Sequence, residues 1–341
     1  MREEASFPGL RIVAIVPCHN EEQAIAGVVA GLLAAVPQMV VYVYDNGSTD
    51  RTAELAASAG AIVRTEPNKG KGHVVRRAFA DVEADVYLMI DGDGTYETAA
   101  APRLIATLLA GPYDQVVGVR RDISSTAYRP GHALGNRAFN YLAGRIFRVH
   151  VRDMLSGYRV FSRRFVKSFP AVAQQFETET ELTVHAATLR LPQTEIDVDF
   201  MDRADGSESK LRTYRDGWAI LRHLVGLTRA ERPVVFHSII AAALMLLGLA
   251  IAFPVFVDYV HTGLVPKFPS AILAASVELL SCMTFFLGLT LQALKRIKDE
   301  NMRLHYLALR SVSAASMDPR GMAMPAYAPS EASPAIRQPA G

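Results

Sequence analysis

The stretch Val86-Tyr87-Leu88-Met89-Ile90-Asp91-Gly92-Asp93-Gly94 sets five apolar or aromatic residues directly against two carboxylates spaced by glycines. Residues 86–90 have the makeup of a short strand, and the Asp-Gly repeat ends it. Upstream, residues 12–16, 39–44 and 61–63 have the same β-branched character. Between them, residues 21–36, 51–59 and 72–82 are Ala-rich with helical spacing. That alternation predicts an α/β fold with a mainly parallel sheet. Such sheets take ligands beyond the carboxyl ends of their strands. Those ends carry Pro17-Cys18-His19-Asn20-Glu21-Glu22, Asp45-Asn46-Gly47-Ser48-Thr49-Asp50 and Asp91-Gly92-Asp93-Gly94. Three polar clusters at three strand ends predict one site.

Common phosphate and metal fingerprints do not explain these clusters. No Gly-x-Gly-x-x-Gly follows residues 12–16, which argues against a dinucleotide fold. Gly70-Lys71-Gly72 lacks the leading glycine of a P-loop and the Ser or Thr after its lysine. Counted from Asp91, the twelfth position of a calcium loop is Pro102 instead of Glu. Asp91 and Asp93, one residue apart, fit a pair converging on one hard cation, with glycines letting the backbone approach a diphosphate. A plain Asp-Gly turn is the alternative.

Composition narrows the class. The 341 residues carry 36 Lys and Arg against 34 Asp and Glu, so no global field for nucleic acid exists and any anion site is local. Cys18 and Cys282 alone exclude a disulfide framework and a Cys-based metal site. A mean hydropathy of +0.15 is high for a soluble enzyme, and the excess is concentrated. Residues 234–257 hold no Asp, Glu, Lys or Arg and a single His, His237, and residues 271–294 are broken only by Glu278 and Gln292. Each would span roughly 36 Å as a helix, enough for a bilayer core of about 30 Å. Two buried core helices are the alternative, but these rarely run past about 20 residues without polar punctuation.

The flanks give orientation. Arg222, Arg229 and Arg232 precede the first span, and Lys295, Arg296, Lys298 and Arg303 follow the second. The link 258–270 has only Lys267, so both flanks face the cytoplasm and the spans form a hairpin. Glu3 and Glu4 open the chain, and residues 12–16 are too short for the core of a signal peptide. The expected organisation is a cytoplasmic domain (1–210), an amphipathic juxtamembrane helix (211–232), the hairpin (233–295), and a largely disordered cytoplasmic tail (296–341). The expected location is the inner membrane with both termini cytoplasmic. Glu278, seven residues into the second span, either hydrates near the far surface or faces a helix interface or headgroup path.

Basic and acidic clusters complete the inventory. Arg120, Arg121, Arg129 and Arg137 lie in one 18-residue stretch whose single acid is Asp122. Their forks suit phosphate oxygens, with a solvated helix face as the alternative for Arg121 and Arg137. Arg203 and Lys210 flank Ala-Asp-Gly-Ser-Glu-Ser, a flexible segment able to order over a bound ligand, or a plain loop. If residues 177–189 are helical, Glu177 and Glu181 share a face while Glu179 points elsewhere.

In chain order, Val16-Pro17-x-x-Asn20-Glu21-Glu22, Asp45-Asn46-Gly47-Ser48-Thr49-Asp50, Asn68-Lys69-Gly70-Lys71-Gly72 and Asp91-Gly92-Asp93 resemble the family 2 glycosyltransferases with a GT-A fold. Ser156-Gly157-Tyr158-Arg159 and the segment from Arg203 to Leu211 are similar to the dolichol-phosphate mannose synthase branch and its bacterial polyprenyl-phosphate relatives. The carboxy-terminal hairpin also occurs there, and the resemblance spans roughly residues 10–295.

The resemblance implies that Pro17, His19, Glu21, Asp45, Lys71, Asp91, Gly92, Arg203 and Lys210 bind the donor. His19 stands where relatives often carry Tyr, and Asn46 where many have a second Asp. Asp91 and Asp93 would hold Mg2+ or Mn2+, with Thr95 where the family often has Gln. Arg120 and Arg129 would take the acceptor phosphate, and Asp93, Arg120 and Glu179 would serve catalysis, Glu179 through contact with the sugar. The implied reaction is inverting transfer from a UDP- or GDP-sugar to a polyprenyl phosphate at the cytoplasmic membrane face. Relatives suggest a homo-oligomer. A rival is transfer to a hydroxyl of a glycolipid or polysaccharide in cell-envelope biosynthesis, which needs a general base. More remote are a membrane-tethered NAD(P) oxidoreductase and a non-catalytic membrane module.

Overall fold

A computed structural model describes residues 7–122, 152–171, 178–201, 226, 229 and 231–311. Its amino-terminal half alternates β1 (Ile12–Cys18), α1 (Ile25–Ala35), β2 (Val40–Asp45), α2 (Thr52–Ser58), β3 (Ile62–Thr65), α3 (Lys71–Asp81) and β4 (Val86–Met89). After a 3-10 turn come α4 (Ala101–Ala110), β5 (Gln115–Asp122), β6 (Arg159–Ser162), α5 (Arg163–Ser168), α6 (Thr178–Leu189) and β7 (Gln193–Phe200). The sheet order is β3-β2-β1-β4-β6-β5-β7. It is mainly parallel, but β6 runs antiparallel to both β4 and β5.

Successive residues of β1 point to opposite faces, and both faces are buried. Ala14 and Val16 join Val28 and Leu32 of α1 and Leu104 of α4 on one side. Val13 and Ile15 join Val75 and Phe79 of α3 and Phe161 and Phe165 on the other. This double burial is why the strands read as near-continuous apolar runs. β1 lies between β2 and β4, with Cys18 in register with Asp45 and Ile15 with Met89. The carboxyl ends of three strands therefore open at one edge of the sheet, where its order reverses.

Two long helices follow, α7 (Pro233–Thr262) and α8 (Phe268–Ala308). Both are long and apolar enough to cross a membrane. Their outward faces are apolar too: Leu246, Phe253, Phe256, Leu279 and Phe286 are each about two-thirds exposed. That disfavours the core-helix alternative, because a core helix covers such side chains. The residues the two helices bury recur every seven, Ala241, Gly248 and Val255 on α7 and Ala274, Ser281 and Gly288 on α8, and all but Val255 are small. Small side chains let helix backbones approach closely in lipid. Ser281 Oγ donates to the Ala241 carbonyl at 2.8 Å. Glu278 lies against Gly248, so it faces the contact between the two helices.

Past residue 295, where the hairpin was expected to end, α8 continues unbroken to Ala308. Pairs one turn apart, Lys295–Asp299 and Arg296–Glu300, support the extension. Packing fixes it: Met302 and Tyr306 rest on the second core cluster. Tyr306 OH donates to the buried Asp114 carboxylate at 2.6 Å, which also receives the Arg164 fork at 2.5 and 2.7 Å. The Arg164 guanidinium lies 4.8 Å above the Tyr306 ring. These partners are far apart in sequence, and periodicity cannot reveal them.

His185 of α6 is buried edge-on to Phe165 and Phe169, with Nε2 3.0 Å from Ser168 Oγ. Burial pushes its pKa down to about 4. The unfolded chain takes up this proton near pH 6.5, whereas the folded chain resists until about pH 4. Stability is therefore expected to fall by about 3 kcal/mol as pH drops through that window. Denaturant unfolding at stepped pH checks this, and His185→Gln should flatten the slope.

Candidate active site

The loops after β1 and β2 are laced together by short polar side chains. Asn20, at φ 58°, occupies the left-handed region that Asn tolerates. Its N–H donates to Ser48 Oγ at 2.9 Å, and its Oδ1 accepts from Thr49 N–H at 2.8 Å. Glu21 N–H donates to Thr52 Oγ1 at 2.8 Å, and Arg51 N–H to Glu22 Oε2 at 3.1 Å. The buried Asp45 accepts from Ser48 N–H at 3.2 Å. His19 Nδ1 lies 3.1 Å from the Asn46 carbonyl. Asp45, Pro17, His19 and Glu21 are thus brought to one rim.

Asn46 has a role the sequence did not show. Its amide donates to the carbonyls of Glu66 (2.9 Å) and Asn68 (2.7 Å), while its Oδ1 accepts from Gly70 N–H (2.7 Å). Asparagine alone among the acidic and amide side chains of this length can donate twice and accept once here. Asn46→Asp would set an oxygen against two carbonyl oxygens. It is expected to cost about 1–3 kcal/mol and to speed amide exchange at Gly70, read by hydrogen–deuterium exchange.

The loop held by Asn46 delivers Lys71 to the acidic turn. Lys71 Nζ contacts Asp91 Oδ1 and lies 2.5 Å from Glu179 Oε1 on α6. Burial by itself would lower the lysine pKa, but the Asp91 and Glu179 carboxylates outweigh it, and the net shift is upward. Lys71 is therefore an ammonium at every physiological pH. Asp93 Oδ1 accepts from Thr95 N–H at 3.1 Å and Thr95 Oγ1 at 2.6 Å, which fixes the turn. Two glycines are needed for close approach. A Cβ on Gly92 would strike Cys18 Sγ, and one on Gly157 would overlap the Asp91 carboxylate. Burial, then the nearby Glu21, Asp45, Asp91 and Asp93 carboxylates, push the Cys18 thiol well up.

Arg120, expected at the acceptor phosphate, also has a partner within the domain. Its Nε and Nη2 grip the buried Asp153 carboxylate at 2.7 and 2.8 Å, and its guanidinium stacks 5.5 Å from the Phe200 ring centre. Asp153 drew no attention in the sequence, since a lone Asp after a basic stretch has no signature. Tyr96 packs edge-on to Phe200 and Tyr158 and accepts Gly157 N–H at 2.9 Å. Arg159, fully buried, donates to the carbonyls of Ser156 (2.9 Å) and Met154 (2.6 Å) and to Thr183 Oγ1 (2.9 Å). It braces the Ser156-Gly157 backbone behind Asp91. Met201 N–H, at the end of β7, donates to the Thr95 carbonyl at 2.8 Å. Arg129, Arg137, Arg203, Lys210, Glu177 and most of the expected helix over 211–230 lie outside the described residues.

Among the described residues, no three His, Cys, Asp or Glu side chains stand together as a metal cage. The Asp91 and Asp93 oxygens are hard donors, and Asp91 keeps 30 % of its side chain exposed. That set suits a hard divalent cation holding few protein ligands and completing its shell with phosphate or water.

A switch-point sheet with an acidic Asp-Gly-Asp turn at the end of β4 and an antiparallel β6 beside it is the GT-A type of α/β fold. Comparison with known proteins agrees. The model described as Glycosyl transferase family 2 matches residues 13–169. Glycosyltransferase AglJ of Haloferax volcanii is 34% identical over 255 residues, 73% of this chain and 82% of that protein. A dolichyl-phosphate hexose transferase of the same organism is 28% identical over 229 residues, 67% of this chain and 98% of its own length. Among solved structures, glucosyl-3-phosphoglycerate synthase from Mycobacterium tuberculosis, in complex with Mn2+, UDP and glucosyl-3-phosphoglycerate, aligns with a TM-score of 0.53 at 24% identity. The match covers 65% of this chain and 80% of that one. The chain belongs to glycosyltransferase family 2. The oxidoreductase alternative falls away with that membership.

Proposed function

We propose that the protein transfers a sugar, with inversion, from a UDP- or GDP-sugar to a polyprenyl phosphate at the cytoplasmic face of the inner membrane. One observation carries this reading: α8, apolar enough to cross a bilayer, ends in Tyr306 bonded to Asp114 of the very domain that bears the acidic turn. That bond joins the domain to α8, which supports a reading in which the acceptor is a membrane lipid. The relative named dolichyl-phosphate hexose transferase, similar over 67% of this chain, supports the same acceptor class.

Asp45, His19, Pro17 and Glu21 would hold the nucleoside, and Lys71, Arg203 and Lys210 the diphosphate. The Gly92 backbone would lie against the donor, and Asp91, Asp93 and Thr95 would hold Mg2+ or Mn2+, which when bound supplies positive charge to the departing diphosphate. Arg120 and Arg129 would orient the acceptor phosphate. One of its oxygens attacks the anomeric carbon in line, and the bond to the diphosphate breaks with its electrons leaving on the nucleoside diphosphate. No proton need move, because the phosphate is already anionic. Incubating membranes with radiolabelled UDP- and GDP-sugars should place label in a phosphoglycolipid. Label confined to polymer or neutral glycolipid would overturn the proposal.

The hydroxyl-acceptor reading needs a base, which Glu177, Glu179 or Glu181 could supply, and Glu179 best matches an acid in relatives. Glu179 is buried with Lys71 Nζ 2.5 Å from its Oε1, so that oxygen is already engaged by the ammonium. Glu179→Gln is expected to lower kcat about tenfold by taking from Lys71 one of its two carboxylate partners. A general base would cost about 10³-fold or more.

A further inference from the structure

Lys71 places a cation where the chemistry of the acidic turn calls for one. It begins α3 at the end of a loop that Asn46 holds by three hydrogen bonds. Its Nζ contacts Asp91 Oδ1 and stands 2.5 Å from Glu179 Oε1, with the side chain 13 % exposed. Asp91 is the first carboxylate of the turn. Its other oxygen, Oδ2, faces Gly157, where no Cβ can fit beside it. A divalent ion approaching Asp91 therefore meets a positive charge already in contact with that carboxylate, in a partly buried place where screening is weak. The ammonium also has a reason to leave. A diphosphate offers several anionic oxygens to its three N–H donors, and the lysine stem is flexible enough to follow them.

We infer that Lys71 is a built-in counter-ion: it closes Asp91 to divalent metal while the site has no donor, and the donor diphosphate draws it off. Metal and nucleotide then bind as one coupled event. By linkage, each tightens the other by the same factor. The inference rests on the proposed metal role of Asp91 and Asp93. Glu179 is in this account a positioning residue, holding Lys71 within reach of both Asp91 and the incoming diphosphate.

Free Mn2+ measured by electron paramagnetic resonance over the full chain in nanodiscs tests this without turnover. Wild type should bind Mn2+ weakly alone, and about tenfold or more tighter with saturating UDP or GDP. Lys71→Met should bind Mn2+ alone about tenfold tighter than wild type, with the nucleotide's tightening reduced by the same factor. Lys71→Arg, which keeps the cation, should stay weak in the absence of nucleotide. Glu179→Gln supplies a separate arm if Lys71→Met does not fold. With one carboxylate gone, Lys71 leans wholly on Asp91, and Mn2+ alone should bind more weakly than to wild type. Equal or tighter binding to Glu179→Gln, or equal binding of Mn2+ alone to wild type and Lys71→Met, overturns the inference and leaves the metal site standing. No Mn2+ binding to wild type even with nucleotide removes the metal site and the inference together.

Discussion

Asp93→Asn is expected to lower kcat/KM for sugar transfer by about 10³-fold or more while leaving the fold intact. The amide keeps the shape of the carboxylate. Its Oδ1 can still accept from Thr95 N–H and Oγ1, the two bonds that fix the turn. What disappears is the negative charge and one hard oxygen donor, and with them the positive charge held against the departing diphosphate. Loss of a single preorganised electrostatic partner commonly costs about 10²–10³-fold, and here it takes a whole ion with it. Steady-state kinetics at saturating Mg2+ or Mn2+, with a thermal melt alongside, check the prediction. Retained turnover at saturating metal would sink the metal assignment.

Gly157→Ala is expected to lower kcat/KM by about 100-fold through geometry alone. An added Cβ would stand 2.7 Å from Asp91 Cγ and closer still to Oδ2. The glycine has little room to retreat, because its N–H is bonded to Tyr96 OH at 2.9 Å and Arg159 grips the neighbouring Ser156 carbonyl. Asp91 must swing aside instead, and the Lys71 contact goes with it. A displacement near 1 Å in a reacting site is worth about 10²-fold. The overpacking itself costs about 1–3 kcal/mol of stability. Kinetics and denaturant unfolding on the same sample separate the two effects. A variant losing stability but keeping kcat/KM would show that the position of Asp91 is not critical.

The legible parts of this protein are those with local signatures. β1, β2 and β4 stood out because parallel strands buried on both faces are runs of β-branched and other apolar residues. The acidic turn and the two apolar helices are likewise local patterns. β6 escaped notice because it is four residues long and opens with Arg159, a residue type almost never fully buried. β7 reads Gln-Thr-Glu-Ile-Asp-Val-Asp-Phe, an edge strand whose acids Glu195 and Asp197 pair with Arg152, so its polarity hid its structure. Within the site, the sequence pointed to Asp91, Asp93 and Lys71 separately. It held no sign that Lys71 meets Asp91 and Glu179, or that Arg120 turns to Asp153, since these contacts join elements far apart in the chain. Asn46 was visible only as a departure from a common Asp, and its three hydrogen bonds supply the physical reason.

The central claim is the acceptor. The most direct measurement offers purified full-length protein in nanodiscs equal amounts of a polyprenyl phosphate and the polyprenol of the same length, with one radiolabelled nucleotide sugar and Mn2+. Label is expected on the phosphate alone, in a product that mild acid releases as free sugar and whose anomeric linkage is inverted relative to the donor. Label on the free alcohol, or a product resistant to mild acid, would contradict the account.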